Sequence, residues 1–207
     1  MKRLNTLLVA ASLLLIGSKS YAESPSFTYV GAEYVADGTL SASVGSLSAE
    51  LDSSGFAINA SVELGIFFLQ ASRLELDNDD VFIIESDSSI TSAAVGLTFE
   101  LPQTQVYGLV RAQQAELSVS GGGFADSFDE TIAGFEVGAR VNLTDRFEIN
   151  ANIGSPAGDS GTSYGVGGQF FVTDNIGITL NFNTIEADED GIEAEFDTTA
   201  VGVRFTF

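Results

Sequence analysis

From residue 26 onward, apolar and polar side chains alternate with a period of two, and the alternation returns in segment after segment. The last segment is the clearest: Thr199, Val201, Val203, Phe205 and Phe207 fall on one face, with Thr198, Ala200, Gly202, Arg204 and Thr206 on the other. Phe56, Ile58, Ala60, Val62 and Leu64 are likewise set against Ala57, Asn59, Ser61 and Glu63. Phe135, Val137, Ala139 and Val141 are set against Glu136, Gly138, Arg140 and Asn142. A period of two belongs to strands, whose successive side chains point to opposite faces of a sheet. The pattern predicts ten strands, at 26–36, 55–64, 67–76, 89–100, 106–119, 131–143, 146–155, 162–173, 176–187 and 196–207. The phase slips between Ala112 and Ala115, which predicts a bulge in the fifth strand. Arg73 follows Phe67, Leu69 and Ala71 on the apolar face, near a strand end where its head can reach water.

The connections alternate too. Tight turns are expected at Leu64-Gly65-Ile66, 101–105, Thr144-Asp145 and Thr173-Asp174-Asn175, and longer loops at 37–54, 77–88, 120–130, 156–161 and 188–195. In an up-and-down meander every second connection emerges at the same end, so one end carries turns and the other loops.

Which face is inside decides the fold. A soluble sandwich turns its polar face to water, and such faces are usually rich in Lys and Glu. Here the polar face is assigned Gly31, Gly96, Gly108, Gly138, Gly167, Gly177 and Gly202 among Asn, Ser, Thr, Glu and Arg, a mixture suited to a crowded polar interior. Lys2 and Arg3 precede an apolar run from Leu7 to Ile16 and then Ser20-Tyr21-Ala22, the layout of a secretory signal peptide over residues 1–22. The 23–207 segment then contains five basic residues, all Arg, against 29 Asp plus Glu. Export, an even strand number and alternating loop lengths together point to an all-β, antiparallel up-and-down transmembrane barrel with its apolar face in lipid. Aromatic residues near the turn end (Phe67, Phe99, Tyr107, Phe147, Phe170, Phe205, Phe207) and near the loop end (Tyr34, Phe56, Tyr164) are expected to form two girdles.

At this point a resemblance enters. Tyr29-Val30-Gly31-Ala32-Glu33-Tyr34, Phe68-Leu69-Gln70-Ala71-Ser72 and Val201-Gly202-Val203-Arg204-Phe205-Thr206-Phe207 resemble segments of the small Gram-negative outer-membrane barrels of the OmpA transmembrane-domain and OmpX kind, in the porin-like superfamily. The resemblance implies an outer-membrane location, contact with lipid and lipopolysaccharide, and a C-terminal assembly signal (Val203, Phe205, Phe207) read by the barrel assembly machinery. Its members usually have eight strands, the alternative to ten, and no periplasmic domain is expected after the last strand.

Composition narrows function. The chain has no His and no Cys, which removes Ser-His, Cys-His and zinc-thiolate chemistry. A net charge of -21 excludes a nucleic-acid partner. Glu33, Glu63, Glu100, Arg111, Glu136, Arg140, Glu148 and Arg204 are expected to point into the lumen, where carboxylates held by guanidinium forks would fill it or form a constriction. Gly121-Gly122-Gly123 lacks the Lys and helix of a phosphate loop and reads as a loop tip. Most acids lie in the predicted loops, a solvated and self-repelling surface. Glu186, Asp188 and Asp190 followed by Asp197 have spacing similar to a Ca2+ loop, although the first ligand is Glu and no helices flank it. The expected function is a non-enzymatic outer-membrane protein with a structural or surface-interaction role and a lumen filled by the Glu/Arg network. A narrow channel favouring small cations, and an adhesin or ligand-binding surface on the acidic loops, are the alternatives.

Overall fold

A computed structural model describes residues 25–44, 47–81, 84–121, 124–155, 161–189 and 192–207. Ten strands follow one another: β1 Tyr29–Val44, β2 Leu47–Leu64, β3 Phe67–Val81, β4 Ile84–Leu101, β5 Thr104–Gly121, β6 Phe124–Thr144, β7 Phe147–Ser155, β8 Gly161–Phe171, β9 Ile176–Glu189 and β10 Ile192–Thr206. Each pairs antiparallel with the next, and β1 pairs with β10 from Tyr29↔Thr206 to Val44↔Ile192, closing a ten-stranded barrel without an edge. Closure matters because an edge would leave a row of unpaired N–H and C=O groups.

The apolar face is the outer one. Phe56, Ile58, Val62, Leu64, Leu97, Phe99, Val137, Val166, Ile178, Val201 and Val203 are all exposed, Phe56 and Phe99 at 66%. Side chains of the opposite parity fill the interior, with Ser61, Thr98, Gln105, Arg140, Glu148, Gln169 and Thr179 buried. A water-soluble chain rarely exposes so large a continuous apolar band.

All the strands except β7 and β8 are longer than the alternation predicts. Of the segments read as long loops, 37–54, 77–88, 120–130 and 188–195 are largely strand, since β1 runs to Val44 and β2 starts at Leu47, while β3 runs to Val81 and β4 starts at Ile84. β5 with β6 and β9 with β10 do the same, at Gly121/Phe124 and Glu189/Ile192; residues 156–160 of the remaining segment lie outside the described residues. Beyond the apolar band both faces of the sheet meet water, so the apolar alternation fades while the backbone ladder continues. A bilayer needs about 9–11 residues per strand, whereas β6 has 21 and β7 only 9. The wall therefore stands tall around β1–β6 and low at β7.

Further expectations change at β5 and at the start of β1. β5 carries no bulge: its register is unbroken from Thr104↔Leu101 to Gly121↔Ile84, and the shifts fall instead at Val35/Gly38, Asn78/Val81 and Asn142/Thr144. An unbroken phase puts Tyr107, Leu109, Arg111 and Gln113 on the inner face together. Tyr107 therefore leaves the outer girdle for the lumen, and Gly108 faces outward beside Val137. The first strand begins at Tyr29 rather than at residue 26.

Arg73 does lie on the outer face, where it pairs with Glu75 at 2.8 Å. Turns of two residues join β2 to β3, β4 to β5 and β6 to β7, and Gly65 (φ 71°) supplies the left-handed backbone that the first of them needs.

Candidate functional site: the lumen

At the tight-turn end, Arg140 from β6 forks onto Glu148 from β7. Its Nε and Nη2 donate to the two carboxylate oxygens at 2.9 Å each. Arg204 from β10 brings Nη1 to 3.7 Å of the same carboxylate. Arg204 also lies over the Tyr29 ring, 4.3 Å from its centroid. Glu148 is only 1% exposed, so a single buried carboxylate faces two guanidiniums, with both of its oxygens taken by Arg140.

Glu63 is satisfied differently. Its Oε1 accepts hydrogen bonds from Gln105 Nε2 at 3.1 Å and Thr98 Oγ1 at 3.2 Å, and its Oε2 accepts the Phe27 N–H at 3.1 Å. Above this layer, Phe27, Tyr29, Phe68, Tyr107 and Leu109 form an apolar cluster inside the barrel. Phe27 stacks on Phe68 at 4.2 Å and meets Tyr107 edge-on at 5.1 Å. Glycine on neighbouring strands makes room for these rings. A Cβ at Gly96 would come within 2.3 Å of the Phe68 ring, and one at Gly138 within 2.6 Å of Tyr107.

Tyr107 Oη donates to Glu136 Oε1 at 2.7 Å, and Arg111 pairs with the other oxygen of the same carboxylate. Glu33 accepts from Asn181 Nδ2 at 2.9 Å and Thr179 Oγ1 at 3.4 Å. The lumen then widens into a cavity of about 350 Å³, with Asn59, Gln70, Asn150, Asn152, Asn181 and Asn183 among its lining residues. A second interior apolar cluster, Val35, Leu76 and Ala200 with Leu74 and Phe196, lies nearer the long hairpins.

Of the predicted lumen residues, the fold thus brings together Arg140, Glu148 and Arg204 in one group and Arg111 with Glu136 in another. Glu33 and Glu63 rest on amides, hydroxyls and a backbone N–H. Glu100 is exposed, close to the turn that ends β4. The interior aromatics are the residues that the sequence reading passed over. Phe68 was legible by parity, because Phe67 and Leu69 both point outward. Val203, Phe205 and Phe207, expected from the sequence to form an assembly signal, are exposed, and the last two rings pack edge-on at 4.8 Å.

Glu186 and Asp188 lie on one face of β9, opposite Glu195 and Glu193 of β10, while Asp197 sits opposite Thr184 and accepts its hydroxyl. Asp190 and Gly122-Gly123 fall outside the described residues. An extended strand spreads carboxylates along a line, whereas a Ca2+ loop wraps them around a point. Among the described residues, no group of three or more carboxylates is placed to hold a metal ion.

A closed antiparallel barrel with an apolar outer wall and a hydrogen-bonded polar interior is a transmembrane β-barrel. The chain belongs to the outer membrane protein β-barrel domain family, whose sequence model matches residues 7–157, and it is a protein of the bacterial outer membrane. Comparison with curated proteins gives no match. Among solved structures, the outer membrane protease OmpT from Escherichia coli is similar at 11% identity and a TM-score of 0.53, covering 89% of this chain and 99% of that one. The translocator domain of the autotransporter NalP from Neisseria meningitidis matches at 10% identity and 0.51, covering 100% and 95%. Neisserial surface protein A matches at 16% identity and 0.49, covering 89% and 100%. At these identities the likeness concerns the fold alone, and the fold is shared by proteins with different tasks.

Proposed function

We propose that this protein is a non-enzymatic outer-membrane barrel with a closed lumen, which contributes to envelope structure and makes its surface interactions through the polar strand extensions at the long-hairpin end. The observation that carries the reading is the buried Arg140–Glu148–Arg204 group, because side chains from β6, β7 and β10 meet inside the barrel and narrow the lumen where a water path would have to run. A ten-stranded barrel is only slightly wider than the eight-stranded size that side chains fill completely. Catalysis is disfavoured by the chemistry present: the sequence has neither His nor Cys, and the inner carboxylates are engaged by guanidiniums, amides and hydroxyls.

In the orientation we propose, the tight turns face the periplasm and the tall wall faces outward. That wall carries Asp52, Glu75, Asp77, Asp87, Glu116, Asp129, Asp188 and Asp197, all exposed. Such a surface repels polyanions and stays hydrated. Residues 1–22 would direct export, and Val203, Phe205 and Phe207 would be offered to the assembly machinery before the barrel meets lipid and lipopolysaccharide. Planar-bilayer conductance of the refolded chain, with heat-modifiable gel mobility as proof of folding, tests the closed lumen. A folded barrel without conductance is expected. Reproducible cation-selective steps would overturn it in favour of a narrow channel.

A further inference from the structure

We propose that Pro25–Thr28 is a plug that completes the closure of the lumen at the tight-turn end, so that a barrel without it is an open channel. The proposal rests on the closed-lumen reading and names the part that does the closing.

These residues precede β1, whose pairing with β2 and β10 is registered from Tyr29 onward; only Thr28 touches the ladder, through the Phe207 N–H. They bend into the barrel. Phe27 is 4% exposed, with Phe68 and Tyr107 against its ring and the Arg140 guanidinium 4.9 Å from its centroid. Each neighbour in that layer belongs to a strand of the wall. Phe27 alone is delivered by a segment that is not part of the wall, and it sits between the aromatic side of the lumen and the charged side.

The segment's polar groups are paired with the interior as well. Arg140 spends Nε and Nη2 on Glu148 and donates its remaining Nη1 to the Ser26 carbonyl at 2.6 Å. The Phe27 N–H goes to Glu63, the Thr28 hydroxyl accepts the Glu63 N–H at 3.1 Å, and the Thr28 carbonyl accepts the Phe207 N–H at 3.1 Å. A buried backbone needs such partners, and here two lumen side chains supply them. Arg140 thereby joins the wall's ion pair to the plug. Phe27 itself lines the amide-rich cavity, so withdrawal of its ring would extend that cavity toward the turn end.

Two substitutions in the full chain test this. The sequence contains no Trp, so Phe27→Trp is a clean reporter in the folded barrel. Its emission should be blue-shifted and resistant to acrylamide, and red-shifted, readily quenched emission would overturn the placement. Phe27→Ala, refolded in parallel with the unaltered chain and shown by heat-modifiable mobility to be folded, should turn a silent bilayer into one with reproducible conductance steps. A folded Phe27→Ala barrel that stays silent would overturn the plug and leave the closed lumen to the wall residues. Conductance by the unaltered chain would overturn the closed-lumen reading itself, and the plug with it.

Discussion

Replacing Glu148 by Gln keeps the volume and one carbonyl acceptor but removes the carboxylate that, among the described residues, contacts both Arg140 and Arg204. A close ion pair at an effective dielectric of about 20 is worth roughly 4 kcal/mol before desolvation. Two guanidiniums with side-chain exposures of 6% and 12% would then keep their charge without a counter-charge. Removing one partner of a buried pair costs about 3–5 kcal/mol, and the fork geometry of Arg140 places Glu148→Gln in that range. The assay is reversible urea unfolding in detergent micelles or lipid vesicles, followed by far-ultraviolet circular dichroism and gel mobility. Its midpoint should fall with an unchanged slope. Glu75→Gln is the matched control, because the Arg73–Glu75 pair has the same 2.8–2.9 Å contact distance but exposures of 47% and 65%. Exposed pairs contribute about 0–1 kcal/mol. If the two substitutions cost the same, the lumen group is solvated and the argument for a narrowed lumen fails.

Val201→Arg places a charge on the outer face of β10, between Leu180 and Tyr34, and should cost about 2–4 kcal/mol near the bilayer midplane; unchanged stability in lipid vesicles would reverse the face assignment. Gly96→Val drives side-chain atoms into the fully buried Phe68 ring and should destabilise by about 1–3 kcal/mol through overpacking. The same substitution at Gly108, where a Cβ meets nothing nearer than Val137 at 3.7 Å, should be tolerated far better, as urea midpoints would report. Deleting Phe207 should reduce assembly in cells more than refolding in detergent, because its ring is exposed and supports little of the folded barrel; equal losses in both settings would remove it from the assembly signal.

The barrel and its ten strands were legible in the sequence because lipid on one side and a polar lumen on the other impose a strict period of two, as in Phe56 to Leu64 and Thr199 to Phe207. The signal ends where that contrast ends. Past the apolar band both faces are wet, so Ser, Asp and Glu in extended strands read as loops, and the 37–54 and 77–88 segments were assigned accordingly. Facing was legible as far as parity could be followed. It failed at β5, where the small polar run from Ala112 to Ala115 carries no inside-outside contrast and only pairing with β4 and β6 fixed the phase, turning Tyr107 inward.

The lumen residues could be named from parity, but not their partners. Parity places Glu63, Glu136 and Glu148 on one face without saying which strand lies across the lumen. Closure of β1 on β10 decided that. It sets Arg204 near Glu148, leaves Glu63 to Gln105 and Thr98, and gives Arg140 to both Glu148 and the Ser26 carbonyl. Outside β5, the sequence by itself determined which residues meet lipid, because that choice depends on local alternation. Which charges compensate each other, and that Phe27 lies inside the barrel, depend on contacts between separate segments of the chain, such as Arg204 with Glu148 and Arg140 with Ser26, and only the tertiary structure supplies those.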